Sequence, residues 1–161
     1  MATLIVEDGS IVANANTYVD VAFVDTYATD HGLPLWTGTA DEKNAAILNA
    51  MTLIESKPYK GYPSFKGQEL VWPRQGVTLY GWDVDFDDIP SRVTSAQAEA
   101  AIRAITSPLS PDLCRGGGIK REKVDVIETE YFAGASNSTT YPVIDQLLAP
   151  LLKSSTKLVL A

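Results

Sequence analysis

The size, composition and charge of the chain exclude several classes of protein. Its 161 residues suit one folded domain, and a composition of 45% hydrophobic and 20% charged residues is ordinary for a soluble globular fold. The net charge of −7 repels phosphate, so the composition disfavours tight nucleic-acid binding. A single cysteine, Cys114, and a single histidine, His31, leave no internal disulfide and too few ligands for a zinc cluster.

Neither the start of the chain nor its apolar runs indicate a membrane or an export route. The first eight residues lack a basic region followed by an apolar stretch, so no signal peptide is predicted. No apolar run approaches the roughly 18 residues that span a bilayer. We therefore expect a protein made in a cytoplasm, without a membrane partner.

Capping signals predict the first two helices. Asp20 suits the N-cap of a helix over about residues 21–31, with Gly32 as its stop. Thr39 and Glu42 have capping-box spacing at the start of a second helix, which ends before Pro58. In both helices the apolar residues recur at helical spacing: Val21, Val24, Tyr27 and Ala28, then Ile47, Met51 and Ile54.

Residues 58–89 are predicted to be a long loop without regular structure. The segment is rich in glycine and proline, and a connection of this length is often functional. We expect its aromatic side chains to pack onto another surface: Tyr59, Tyr62, Phe65, Trp72, Tyr80, Trp82 and Phe86.

The second half of the chain predicts two more helices and one strand. Pro90 suits the first position of a third helix, which runs to about Ile105 with Val93, Gln97, Ala100 and Ala104 along one side. The glycines at 116–118 predict a mobile loop, and the β-branched residues of 123–131 predict one strand. Pro142 starts a last short helix, whose predicted apolar face is Val143, Leu147, Leu148 and Leu151.

These elements predict the fold class. We expect a mainly α single domain over residues 1–161, a small bundle of about four helices with a short β element. Residues 58–89 form its long aromatic loop, and the segment 153–161 forms an extended C-terminal tail that is apolar over residues 157–161.

The residues that resemble known reactive sites have simpler structural explanations. His31 falls at a helix C-terminus, where a cation is favourable without any further role. The aspartates from Asp83 to Asp88 begin like a calcium loop, but Asp88 and Thr94 stand where glycine and glutamate are required. The glycines at 116–118 before Lys120 lack the spacing of a phosphate-binding loop. We expect no enzyme activity, no metal and no cofactor.

The Trp72-Pro73-Arg74 segment leaves two interpretations open. Trp and Arg are enriched at the centres of protein interfaces, so the segment suits a contact patch. Alternatively, Trp72 fills the helical core while Arg74 caps a carbonyl or pairs with an aspartate. The residue types alone do not decide between them.

Several segments together resemble a phage and prophage family labelled DnaT-like single-stranded DNA-binding protein. The same pattern is similar to the small head–tail adaptor (connector) proteins of tailed bacteriophages, and the match spans nearly the whole chain. The resemblance is carried by 5–9 (IVEDG), 13–19 (ANANTYV), 54–56 (IES), 65–67 (FKG), 70–74 (LVWPR), 89–90 (IP), 120–124 (KREKV), 141–145 (YPVID) and 147–148 (LL).

The adaptor resemblance implies a structural role in the virion. It implies a ring, usually of twelve copies, that joins the portal protein to a tail or stopper protein at the head–tail junction. Genomic DNA would pass through its channel without specific binding. On this basis we expect Leu158, Val159 and Leu160 to dock on the portal, and a subunit interface formed by Trp72, Arg74, Val124 and Val126.

The other label implies a different function. A replication-associated single-stranded DNA-binding protein needs a basic groove with stacking aromatics. This chain has the aromatics, but its acidic balance suits a channel that does not hold DNA. The adaptor is therefore the preferred hypothesis, with single-stranded DNA binding as the alternative.

Overall fold

A computed structural model describes residues 3–109, 121–124, 127–130 and 140–153. The chain divides into two compact units, one formed by Met1–Leu109 with Tyr141–Ala161 and the other by Ser110–Thr140. Within the described residues there are four α-helices and three two-stranded antiparallel sheets. The prediction of a mainly α fold with a small β element is confirmed.

The first two helices begin where their capping residues predict. Helix α1 spans Val21–Asp30, and the side chain of its N-cap Asp20 accepts a hydrogen bond from the backbone N–H of Phe23. Helix α2 spans Ala40–Glu55, and Thr39 and Glu42 form both bonds of a capping box. Both boundaries follow from local hydrogen bonds that satisfy the free N–H groups of a first turn.

Helix α3, Ser91–Ala104, is the centre of the first unit. It packs against α1, α2 and α4, and every residue from Ala96 to Ile102 is buried. A single apolar stripe was therefore too narrow a prediction, because helices surround α3 on several sides. Its alanines let those helices approach closely, and Pro90 is the N-cap instead of the first helical residue.

The segment between α2 and α3 contains more regular structure than its composition predicts. Strand β1 (Tyr62–Pro63) pairs with β2 (Arg74–Gln75), and β3 (Thr78–Leu79) pairs with β4 (Trp82–Asp83). Gly61 makes the first pairing possible, since a Cβ atom there would lie 2.0 Å from the backbone oxygen of Gln75. The remainder of the segment is irregular, as predicted.

Helix α4, Pro142–Leu148, is followed by a 3-10 turn over Ala149–Leu151. Its buried residues are Ile144 and Leu148, whereas Val143 is 43% exposed. The predicted apolar face was thus wrong by one position at its start, because α4 lies in a groove of the bundle that Ile144 fills. After the turn, Leu152 forms an antiparallel bridge with Tyr59.

The second unit contains strands β5 (Arg121–Val124) and β6 (Ile127–Glu130), which pair antiparallel. The prediction of one strand over 123–131 was wrong, because this region contains two short strands that pair with each other. At the other end of the chain, the β-rich run 3–6 contributes one bridge, Val6 to Thr17, and no strand.

No helix in the described part of the chain is long and apolar enough to cross a membrane.

Candidate interaction surface

A buried hydrogen-bonded network joins three distant parts of the first unit. The Tyr18 hydroxyl donates to Glu55 Oε1 at 2.6 Å and accepts from the backbone N–H of Trp72 at 3.1 Å. The other carboxylate oxygen of Glu55 accepts from the backbone N–H of Val71 at 2.9 Å. The N-terminal segment, the end of α2 and the aromatic loop are thereby held together.

Burial changes the acidity of both side chains in this network. Desolvation raises the pKa of Glu55, and the hydrogen bonds from Tyr18 and Val71 offset only part of that rise. Burial also raises the pKa of Tyr18, and the neighbouring Glu55 carboxylate adds to the effect. The Tyr18 hydroxyl and the Glu55 carboxylate thus bond each other and the backbone.

Arg74 and Trp72 hold the aromatic loop from inside. The Arg74 guanidinium donates to three backbone carbonyls, those of Lys60 at 2.8 Å, Gly61 at 2.9 Å and Val71 at 3.1 Å. Trp72 is fully buried and its ring meets the Tyr59 ring edge-on at 5.6 Å. These contacts match the interpretation in which Trp72 fills the core and Arg74 caps a carbonyl. A subunit contact through Trp72 and Arg74 stays a prediction.

The N-terminal motif is also structural. The Glu7 carboxylate is buried and accepts from the backbone N–H groups of Gly9, Ile11 and Val12, each at 2.9 Å. Three such bonds fold the segment into a tight loop around one charge. The segment thus needs an acidic residue at position 7 for its shape.

A second buried bond set ties this N-terminal region to the central helix. The Gln97 side chain accepts from the backbone N–H of Tyr18 at 3.0 Å and donates to the Thr17 hydroxyl at 2.7 Å. The amide therefore satisfies polar groups that the packing of α3 would otherwise leave buried without partners. These bonds join four of the segments that carry the resemblance: IVEDG, TYV, IES and LVWPR. We call the residues that make the bonds the framework: Glu7, Thr17, Tyr18, Glu55, Val71, Trp72, Arg74 and Gln97. The bonds described for these segments serve the fold.

Around this framework, the loop exposes large aromatic side chains. We call the following group the aromatic surface: Tyr62 (60% exposed), Phe65 (44%), Tyr80 (71%), Trp82 (80%) and Phe86 (53%). The Phe65 and Phe86 rings meet edge-on at 6.3 Å. Large contiguous apolar patches mark contact sites for other molecules, which makes these side chains candidates for such a site.

A cleft of about 510 Å³ connects the framework to the aromatic surface. Glu55 and Val71 line it from the framework, and Tyr62, Phe65 and Leu70 line it from the loop. Glu55 and Val71 thus belong both to the buried network and to the walls of this cleft.

The β3–β4 hairpin carries the two most exposed aromatics and is anchored at its turn. Thr78 is opposite Asp83 and Leu79 is opposite Trp82. The Arg92 guanidinium of α3 lies 5.3 Å from the centre of the Tyr80 ring and also donates to the Tyr80 hydroxyl. A second guanidinium bond, to the carbonyl of Leu147, links this anchor to α4.

The other candidate residues are His31, the aspartates from Asp83 to Asp88 and the glycine segment before Lys120. His31 caps α1, and its ring stacks on Tyr27 with 4.0 Å between centroids. No group of three or more histidine, cysteine, aspartate or glutamate side chains suited to a metal is found among the described residues. The glycines at 116–118 and Lys120 lie outside those residues.

Four of the remaining predicted contact residues lie outside the described part of the chain. Val124 ends strand β5, opposite Ile127 of β6. Val126, Leu158, Val159 and Leu160 lie outside the described residues. The predicted interface and docking roles of all five stay predictions.

Sequence reasoning grouped all the loop aromatics together, whereas the structure separates them. Tyr59 and Trp72 are buried, and the five residues of the aromatic surface are exposed. One signal could have marked the hairpin, since the Tyr80-Gly81 pair has positive φ at both positions, as in a two-residue hairpin turn.

The fold and this surface define a small, mainly helical protein that presents exposed aromatics on a hydrogen-bonded framework. The chain belongs to the family described as "Putative DnaT-like ssDNA binding protein", whose model matches residues 2–161. Comparisons with curated proteins and with solved structures gave no match.

Proposed function

We propose that the protein is a structural virion component, a head–tail adaptor that forms a ring between the portal and the next tail component. The aromatic surface supports this proposal. Trp82 and Tyr80 are more than two-thirds exposed in the single chain, and Trp and Tyr are the residue types that dominate protein interfaces. In this proposal, an assembly partner covers these exposed side chains.

The charge around the aromatic surface favours a protein partner over DNA. Asp83, Asp85, Asp87 and Asp88 are all exposed within the same stretch as Trp82 and Phe86. A phosphate backbone approaching these rings meets several carboxylates, and a protein surface can provide complementary cations. The acidic chain is thus suited to surround DNA without holding it.

A closed ring places a further requirement on the chain. Each copy needs two different surfaces that fit each other. Tyr62 and Phe65 of the aromatic surface are the proposed source of one, and strands β5 and β6 are the proposed source of the other. In this proposal Leu158, Val159 and Leu160 dock on the portal, while Trp72 and Arg74 act from inside by holding the loop.

Single-stranded DNA binding is the second candidate, and the description of the family favours it. Exposed aromatic rings stack on bases without sequence preference. Tyr80 and Trp82 have the exposure that stacking requires. The basic run that could hold a backbone includes Arg121 and Lys123, which the strand register places opposite Glu130 and Glu128.

Two measurements separate the candidates. The adaptor proposal expects a ring when the protein is mixed with purified portal and imaged by electron microscopy. It also expects no mobility shift with an oligo-dT strand at low salt. A tight, salt-sensitive shift that is lost in Trp82→Ala and kept in Phe23→Ala would establish the second candidate instead, because Phe23 is an exposed aromatic on α1.

A further inference from the structure

We propose that the β3–β4 hairpin with its acidic extension, residues 78–88, is a docking site for an arginine-containing segment of a partner protein. We call these residues the acidic hairpin. This inference rests on the protein-binding role proposed above and names the chemistry of the partner. Its basis is the exposure of the aromatic rings, the anchoring of the hairpin and the charge of its aspartates.

The acidic hairpin is held in place from both ends, so its exposed rings are presented in a defined position. The backbone N–H of Val84 donates to the carbonyl of Val77 at 2.9 Å, which extends the pairing of β3 and β4. At the far end, Gly9 approaches so closely that a Cβ atom there would lie 1.8 Å from the Asp87 carbonyl oxygen. The Glu7-centred loop thus supports the acidic extension.

Three ion pairs are found within the described part of the chain. The ion pairs found there join Lys43 to Asp25, Lys57 to Asp145, and Arg103 to Glu99. None of them includes an aspartate of the acidic hairpin. Four exposed carboxylates beside exposed rings therefore form a surface whose complement is cationic.

The hairpin already contains the type of contact that such a partner would make. The Arg92 guanidinium rests over the Tyr80 ring, 5.3 Å from its centre. Trp82 offers a larger ring, 80% exposed, and tryptophan is the best aromatic partner for a cation. Arginine suits this position over lysine, because its planar group stacks on a ring while also donating to carboxylates.

The distribution of tryptophans makes Trp82 a specific reporter of binding. The other two tryptophans, Trp36 and Trp72, are 8% and 0% exposed. Quenching of fluorescence by neutral acrylamide should therefore act mainly on Trp82. We would titrate the full chain with a peptide of alternating arginine and glycine, with its glutamate counterpart, and with oligo-dT.

The arginine peptide should protect Trp82 from acrylamide, and the protection should weaken as salt screens the carboxylates. The glutamate peptide and oligo-dT should leave the quenching unchanged. Protection by oligo-dT, or no protection by the arginine peptide, would overturn the inference.

Matched variants test whether the binding occurs at this site. With a labelled arginine peptide, Trp82→Ala should weaken binding about two- to fivefold, and Phe23→Ala should leave it unchanged. The double variant Asp83→Asn/Asp85→Asn should weaken peptide binding more than the control Asp30→Asn/Asp41→Asn. The control removes the same charge from exposed positions on α1 and α2. Equal losses in the two double variants would mean that only net charge matters, and would refute the site.

Failure of this inference is distinguishable from failure of the adaptor proposal. Ring formation with the portal is observed by imaging and needs no arginine peptide. A ring without peptide protection would refute the partner chemistry alone.

Discussion

Removing the Tyr18 hydroxyl should destabilise the whole first unit, although Tyr18 lies far along the chain from its partners. In Tyr18→Phe, Glu55 loses a hydrogen bond at 2.6 Å and the buried N–H of Trp72 loses its acceptor. A hydrogen bond to a charged group contributes about 1.5–3 kcal/mol, and a buried donor left unpaired costs about 1–3 kcal/mol. Since the two terms overlap, we expect a loss of about 2–4 kcal/mol.

Urea unfolding followed by circular dichroism would measure this loss as a lower midpoint with an unchanged slope. Tyr62→Phe is the matched control, because Tyr62 is 60% exposed on the aromatic surface. It should change the free energy of unfolding by less than about 0.5 kcal/mol. A Tyr18→Phe variant as stable as this control would refute the idea that the buried network holds the loop to α2.

Three further predictions use the same unfolding assay. Because burial raises the pKa of Glu55 above its ordinary 4.5, the folded chain holds that proton more tightly than the unfolded chain. The stability of the natural protein relative to Glu55→Gln should therefore fall as pH rises from about 4.5 through the raised folded pKa, and a rise over that window would contradict the shift. Arg74→Met should lower the free energy of unfolding by about 2–4 kcal/mol, because three carbonyls lose their donor. Arg74→Lys should recover only part of this stability, since one ammonium group cannot bond all three carbonyls. Full recovery in Arg74→Lys would show that charge alone suffices. Gly9→Ala should cost about 1–3 kcal/mol from its positive φ, with the Asp87 carbonyl adding to the cost, so a neutral effect would refute the close approach.

The motifs that carry the family resemblance prove to have structural work within the chain. Glu7 folds the N-terminal loop, Glu55 receives Tyr18 and Val71, and Arg74 holds the base of the aromatic loop. The outward-facing hairpin shares none of these buried bonds. In this chain, the buried bonds and the β3–β4 hairpin are therefore formed by different parts of the sequence.

Helix positions were predictable because they depend on neighbouring residues. The caps at Asp20 and Thr39 bond N–H groups only three residues ahead, so their signal is complete within a short segment. The exact packing faces were less predictable. Val143 and Ile144 are both β-branched and adjacent, and only the shape of the surrounding bundle decides that Ile144 is inside.

The exposure of the aromatic side chains was even less predictable from the sequence than the packing faces of the helices. Sequence reasoning identified the aromatic loop and left the role of Trp72 open, but it could not separate Trp72 from Trp82. Their exposures, 0% and 80%, depend on tertiary packing, since the Trp72 ring meets Tyr59 and its backbone N–H bonds Tyr18.

The charge, the starts of the first two helices and the mainly helical class could be predicted from the sequence, since each depends on composition or on hydrogen bonds between near neighbours. Which aromatic side chains are buried and which are exposed depends on the tertiary structure. The reason is that burial is set by contacts between distant residues, such as Tyr18 and Glu55, 37 positions apart. No local pattern records that those two side chains meet.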